Sequence, residues 1–596
     1  MPKEVRVIFE PMGRSVYVLP GTILLEAAAR AGFILETPCG GMGVCGKCIV
    51  RVTEGECPPS EECGTHLSES QIADGYRLSC RCKVTGPSTV EIPQSSLFQS
   101  GGKILSDTIG EHGALKPAVR KEYVKLDPPS RDDGRSDAER LREALGGAVI
   151  GMPVLRRLPS VLRAANFHVT ATMAEREVLC LDPGNTADGL HGMAFDIGTT
   201  TVVGTLVDMS SGRDLAVVST VNPQTSYGDD VISRIDKCRE ERHGLTELHD
   251  AIQDAVNELI VKACERAKVD AAGLCMVVFA GNTTMQQILG GISPAALGEI
   301  PFVPAFREMQ HGTAAEFGLH ICPSAKVVLF PQIGGFVGGD TVAGIVATKL
   351  DRKEAPALLV DVGTNGEIVL AHNGRLLATS VAAGPAFEGA RIVNGMRATR
   401  GAIEKVVIDG DVEINVIGDA PPIGLCGTAL IDATAALLRS GILDPTGRIL
   451  GADEAPDALP EALRRRIVPN DDQHDFILAK ADVAGNGKPL CLYQKDIREL
   501  QLANGAIRAG ISVLLQMEGL EAEDLHEVLL AGAFGNFIRR GNARRIGMLP
   551  PIPRDRIRFV GNTASFGAKS VLPSSEVSEY AERILHQTRH VDLSLC

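Results

Sequence analysis

The pattern that most limits what this chain can fold into is a repeat. An apolar run ending in Asp-x-Gly-Thr and followed by a second apolar run occurs at MAFDIGTTTVVGTLVDMSSG (193–212) and again at ALLVDVGTNGEIVLAHNG (357–374). Each copy reads as a strand, a tight turn and a strand. The copies lie about 165 residues apart, which implies two structurally similar halves. A turn rich in Gly and Thr presents amides and hydroxyls to phosphate oxygens, and the preceding carboxylate is placed to hold a divalent cation through water. One Asp-x-Gly-Thr alone is usually a plain β-turn, but two inside apolar hairpins point to phosphate. Candidate phosphate contacts are Gly198, Thr199 and Thr200 in the first copy and Gly363, Thr364, Asn365 and Gly366 in the second. Asp196 is the candidate for organising Mg2+ and the attacking water, and Asp361 for the second carboxylate beside the metal. Asp340, in GGDT, is a weaker candidate. Neither a Walker loop nor a Rossmann fingerprint is present.

Cysteine is the second constraint. Seven of the 15 cysteines lie between Cys39 and Cys82. Cys39, Cys45 and Cys48 have C-x5-C-x2-C spacing, and RLSC supplies Cys80. Gly40, Gly41, Gly43 and Gly46 let the loop curl round an inorganic core and aim amides at its sulfurs. Zinc competes, although structural zinc sites usually show paired C-x2-C knuckles. Cys82 reads as a spare thiol, and Cys57 and Cys63, in an acidic Pro-containing loop, as non-ligands. Cys426 and the scattered Cys180, Cys238, Cys264, Cys275, Cys322 and Cys491 read as small buried residues.

The chain has 596 residues, long enough for several domains. EVRVIF and SVYVL read as a hairpin, TILLEAAARAG (22–32) as an amphipathic helix, and residues 95–118 as a linker. Residues 119–188 read as a small α/β domain of undetermined role, with a Ser-x-x-Glu capping box opening SDAERLREAL. The part that carries both hairpins then runs from 189 to 596. Sixty basic against 74 acidic residues give a formal net charge of −14, which opposes nucleic-acid binding. No apolar run is long enough to cross a membrane, and the charged N-terminus is unlike a signal peptide, so a cytoplasmic location is expected.

The residues carry resemblances at three scales. The first 94 residues resemble a [2Fe-2S] ferredoxin of the adrenodoxin-like spacing, whose β-grasp fold and ligand set imply Cys39, Cys45, Cys48 and Cys80. The paired hairpins resemble the two phosphate motifs of the two-lobed actin, Hsp70 and sugar-kinase superfamily, of ribonuclease H-like fold. That likeness implies ATP in the cleft between lobes and an adenosine contact at Gly532-Ala533-Phe534-Gly535. The whole length, through LDPPSRDDGRSDAERL, VNPQTSYGDDVISRI, AGPAFEGARI and GLCGTALID, is similar to the reductive activators of corrinoid proteins. Some of that family carry a C-terminal [4Fe-4S] module, whereas residues 541–596 contain only Cys596. The likeness implies an enzyme that spends ATP to return a Co(II) corrinoid protein of a methyltransferase system to Co(I), one electron passing through the cluster from an external electron donor. The alternatives are an ATP-dependent activator of another low-potential enzyme and a metabolite kinase with a ferredoxin regulator. The sequence names neither the partner, the donor nor the oligomeric state, a homodimer being one option.

Overall fold

The computed structural model describes residues 5–10, 14–31, 33, 35, 43, 46, 48–93, 96, 115–228, 230–363, 365–389, 391–396, 398–532 and 538–593. Cys39, Cys45, Thr364 and Gly535 lie outside the described residues, as does most of the segment read as a linker.

The alternating N-terminal segments pair antiparallel as β1 (Val5–Glu10) and β2 (Arg14–Val18). Leu24–Arg30 forms α1, followed by β3 (Ile49–Gly55), α2 (Glu69–Ala73), β4 (Tyr76–Leu78) and β5 (Ser88–Glu91). Sheet order β2-β1-β5-β3-β4, with β1 and β5 parallel, is the β-grasp arrangement. Val7, Phe9, Leu24 and Val50 build its core with the sulfurs of Cys57 and Cys63.

A small four-stranded sheet follows, made of β6 (Val119–Lys125), β7 (Val149–Ile150), β8 (His168–Ala174) and β9 (Glu177–Pro183). Two helices cover it, α3 (Asp137–Ala144) and α4 (Met152–Ala164). The capping box forms as read: Ser136 Oγ accepts from Glu139 N, and the Glu139 carboxylate accepts from Ser136 N at 2.7 Å. One reading is corrected here. Cys180 on β9 is bonded to Cys322, so neither is an isolated thiol; 142 residues separate them, and only the fold brings their Cα atoms to 6.7 Å.

The repeat becomes two sheets of one topology. The first contains β10 (His191–Ile197), β11 (Thr201–Asp208), β12 (Arg213–Val221), β13 (Leu274–Gly281), β14 (Gln310–Thr313) and β15 (Lys326–Leu329), in order β12-β11-β10-β13-β15-β14. The second contains β16 (Ala357–Val362), β17 (Gly366–His372), β18 (Arg375–Val381), β25 (Glu527–Ala531), β26 (Ile557–Gly561) and β27 (Thr588–His590), in order β26-β25-β16-β17-β18-β27. Without the edge strands β14 and β27, the orders β12-β11-β10-β13-β15 and β18-β17-β16-β25-β26 superpose term for term. In each, a three-stranded meander is extended by two parallel strands.

Helices α5 (Val231–Glu240), α6 (Gly244–Ala267), α7 (Thr283–Leu289) and α8 (Gly339–Thr348) belong to the first lobe. Between β18 and β25 the second lobe inserts β19 (Ala402–Asp409), β20 (Asp411–Val416), α9 (Gly427–Ser440) and α11 (Gln494–Met517), among shorter elements that include β21 (Gly424–Leu425), α10 (Glu461–Arg464) and β22 to β24 (467–470, 473–479, 490–492). It ends with α12 (Arg540–Arg545), α13 (Thr563–Val571) and α14 (Ser575–Gln587). The lobes meet where α8 crosses α13. A Cβ on Gly567 would stand 2.1 Å from Ala343 O, so glycine sets how closely the two helices approach.

Candidate nucleotide cleft and cluster site

The first hairpin turn is fixed by its own backbone and by side chains from distant elements. Gly198 N donates to Thr201 O at 3.0 Å, closing the turn. Asn222 Nδ2 donates to Gly198 O at 2.8 Å, and buried Arg234 on α5 donates from Nη2 to Thr199 O at 2.6 Å. Two Gly-Asn-Thr segments complete the brace. Asn282 caps α7 by accepting from Met285 N and donates from Nδ2 to Thr199 Oγ1 at 3.0 Å. Asn562 caps α13 by accepting from Ser565 N and donates to Asp196 Oδ2 at 2.7 Å. These caps hold each amide in one orientation, so its remaining donor points at the hairpin.

The second turn closes through Gly363 N to Asn365 O at 3.0 Å, with Gly366 opening β17 and Asp361 at the end of β16. Gly532, at φ 95°, follows β25, and a Cβ there would stand 2.6 Å from Asp361 Oδ1. The predicted adenosine contact at Gly532 therefore begins against the predicted metal-side carboxylate.

Four carboxylates gather between the turns. Asp196 and Asp340 come from the first lobe, Asp361 and Glu367 from the second. All are only partly exposed. Burial raises Asp196 to about 7, offset in part by the Asn562 hydrogen bond and reinforced by Asp340. Burial, then Asp340 and Asp196, raise Asp361 to about 8. Asp340 rises to about 6 through burial, although Thr341 N donates to it at 2.7 Å. Glu367 rises by burial, then by Asp340 and Asp361. Asp196, Asp361 and Glu367 are each held up partly by neighbouring acids, which is the electrostatic situation a divalent cation relieves. Asp340 proves as central as the two acids ranked above it. Glu367, Asn222 and Arg234 were not among the predicted site residues, whereas Asn282 and Asn562 lie in the Gly-rich stretches FAGNTTM (279–285) and FVGNTASFGA (559–568), which the sequence fits to the same cleft without giving either Asn a role.

In the N-terminal β-grasp domain, Cys48 and Cys80 flank the β3–β4 pair, in which Ile49 faces Leu78. Ser79 N donates to Cys48 O at 3.0 Å. A hydrogen bond from Cys80 lowers Cys48 to about 7 against the effect of burial. Gly43 and Gly46 both have positive φ, 78° and 62°, as a loop wrapping inorganic sulfide requires. Cys48, Cys80 and the two glycines fit one side of a site for a [2Fe-2S] cluster. Cys63 and Cys82 form a separate buried pair, their sulfurs 3.4 Å apart. Cys82 lies in the turn after β4, not on a strand.

Comparison with known proteins agrees with an iron–sulfur domain joined to a two-lobed ASKHA domain. Family models match in series: a 2Fe-2S iron-sulfur cluster binding domain at 8–85, the RACo linker region at 109–188, the RACo middle region at 191–353, and the C-terminal ASKHA domain of RACo at 355–596. The corrinoid activation enzyme RamQ of Eubacterium limosum is 33% identical over 99% of this chain and 96% of its own. A [Co(II) methylated amine-specific corrinoid protein] reductase of Methanosarcina barkeri is 23% identical over 66% of this chain and 72% of its own. A solved structure of a reductive activator for corrinoid, iron-sulfur protein superposes with a TM-score of 0.72 at 33% identity, covering 100% of this chain and 96% of the other. With an iron–sulfur domain, an ATP-binding pair of lobes and full-length similarity of this order, the chain belongs to the RACo family of corrinoid activation enzymes.

Proposed function

We propose that this chain is an ATP-dependent reductive activator that returns a corrinoid protein of a methyltransferase system from Co(II) to Co(I). The observation that carries the reading is the joining, in one chain, of a thiolate site for one-electron transfer to a cleft where two carboxylates from each lobe converge. The cluster, when bound, supplies single electrons. Cys39, Cys45, Cys48 and Cys80 hold it, and the buried wall around Cys48 and Cys80 keeps bulk water from that side.

In the cleft, the amides and hydroxyls assigned to phosphate, from Gly198 to Thr200 and from Gly363 to Gly366, would receive its oxygens, and Gly532, with Gly535, would contact the nucleoside. Asp196 and Asp361 would hold Mg2+, which would supply charge compensation for the phosphates, and Asp196, oriented by Asn562, would position the attacking water. Phosphoryl transfer asks the protein mainly for position and charge compensation. Each 59 mV of uphill potential costs a one-electron step tenfold in equilibrium, about 1.4 kcal/mol. ATP offsets that cost only if the activator binds the corrinoid protein differently before and after turnover. The electron comes from an external donor, the setting is cytoplasmic, and a homodimer is compatible with the reading.

The test is to mix anaerobic protein, reductant, MgATP and a Co(II) corrinoid protein and to follow the Co(I) absorption band and inorganic phosphate together. Co(I) that appears only with ATP supports the reading. Equal rate and extent without ATP sinks it, and phosphate transferred to a metabolite points to a kinase instead.

A further inference from the structure

The ferredoxin-like domain rests on both lobes at once. Strand β2 lies against β12, and the Arg266 guanidinium of α6 sits 4.0 Å over the Tyr17 ring, which fixes one side to the first lobe. On the other side, Leu19, Pro20, Pro58 and Lys83 share a cavity of about 530 Å³ with Arg400 and Gly418 of the second lobe. The end of the domain that carries Cys80 thus faces the β19–β20 hairpin.

One charged residue of that hairpin lies between the two chemistries. Register slips between Ile403 and Lys405, so Glu404 is bulged, and Thr428 Oγ1 pins it by donating to Glu404 O at 2.7 Å. A bulge re-aims the next side chain. Lys405, half-buried, feels Arg81 and Cys80 from the ferredoxin-like domain and Arg539 and Asp432 from its own lobe. Asp432, 4% exposed, receives Asn542 Nδ2 at 2.6 Å and lies 3.5 Å from Arg539 Nε. Arg539 follows Gly532 by seven residues, and its Nη2 is buried with no hydrogen-bond partner among the described residues. Lys405 and Arg539 are the two cations that act on the interior Asp432 carboxylate, and Arg81, which pairs with Glu62, acts on Lys405 from the ferredoxin-like side.

We propose that Lys405, set by Asp432 and Arg539, is a positioning residue that couples the charge of the cluster to occupancy of the nucleotide cleft. This rests on the cluster and nucleotide assignments above. Reduction adds one negative charge to a thiolate-bound cluster, and fixed cations nearby favour it. Asp432 opposes them. Any shift of the Arg539 segment on nucleotide binding changes the field that Lys405 and its neighbours place on the cluster. By linkage the effect is reciprocal: the reduced and oxidised proteins bind nucleotide with different affinity.

The experiment is an EPR-monitored redox titration of the iron-loaded full-length protein, with and without a non-hydrolysable MgATP analogue, with analogue affinity measured in both redox states. Lys405→Met is expected to lower the midpoint by about 59 mV, tenfold in the one-electron equilibrium, and to bring the affinity ratio of the two redox states close to one. Lys405→Arg retains both properties. Asp432→Asn moves the midpoint upward, a reversal that a merely loosened structure does not give. Wild-type protein that loads no cluster or binds no analogue overturns the assignments and this inference together. Wild type that does both, with a Lys405→Met midpoint and affinity ratio unchanged, overturns the inference alone, as does a wild type whose midpoint ignores the analogue.

Discussion

The two lobes share a strand order and contribute two carboxylates each to the cleft, yet they hold their phosphate turns differently. In the first lobe the turn is braced by Asn222, Arg234 and Asn282, while Asn562 reaches from the second lobe to Asp196. In the second, the described residues of the turn hold themselves by Gly363 N to Asn365 O. The charges are matched and the bracing is not. A braced turn is preorganised, so little is lost when phosphate arrives; a turn held by its own backbone is free to settle on the ligand. The first lobe thus serves as a fixed jaw of the cleft, with the glycine crossing of α8 and α13 as the joint between the lobes.

The largest effect is expected where the lobes are alike. Asp196→Asn and Asp361→Asn each remove one carboxylate from the shared cluster, and each should slow partner-stimulated phosphate release by about a hundredfold or more. Similar losses from both would fit matched charges. An effect confined to Asp196 would break the equivalence and leave Asp361 structural.

Next come changes that touch the bracing alone. Asn562→Leu keeps every carboxylate but removes the donor to Asp196, and turnover should fall about tenfold, roughly 1.4 kcal/mol. That hydrogen bond lowers the Asp196 pKa, so its loss should also move the acid limb of the pH–rate profile upward. Asn365→Ala, in the second turn, should alter the apparent nucleotide affinity and leave that limb in place.

Much of this architecture was legible because it is local. Hairpins, Gly-rich turns and the capping box at Ser136 are written in consecutive residues, and the repeated Asp-x-Gly-Thr announced two lobes. The partners that make the turns work are not consecutive. Asn562 stands 366 residues from Asp196, and Asn282 stands 83 from Thr199. Each Gly-Asn-Thr looks like an ordinary helix cap until the sheet order β10-β13 and the α13 crossing bring its amide to the hairpin. Cys180 and Cys322 escaped for the same reason. Glu367 was readable as part of the motif, but its role depends on alternation: with Asp361 opposite it across β16 and β17, both carboxylates project into one cleft.

Stability gives a third comparison. Arg234 is fully buried and donates to Thr199 O, Gln224 Oε1 and Gly228 O. Arg234→Met leaves those acceptors unpaired and should cost about 1–3 kcal/mol, read as a lower denaturant midpoint. Gly567→Ala forces a methyl against Ala343 O and should cost a similar amount, about 1–3 kcal/mol. The two should differ in function: the first loosens the fixed jaw, while the second spreads the joint and weakens nucleotide binding even where the protein remains folded.

The smallest effect tests the matched charges without mutation. Asp340, Asp196 and Asp361 have pKa values raised to about 6, 7 and 8. Groups raised in the folded state bind more protons there than in the unfolded chain, so they favour folding at low pH, and that contribution is lost as pH rises through the folded values. Without metal, the midpoint of thermal unfolding should therefore fall as pH goes from about 5 to 8. Mg2+ competes with the same protons, so its apparent affinity should rise over this window and its binding should release protons to the buffer. Saturating Mg2+ with nucleotide should flatten the fall. A metal-free midpoint that stays level from pH 5 to 8 would mean that the four carboxylates do not repel one another across the cleft, and the charge symmetry of the lobes would have to be abandoned.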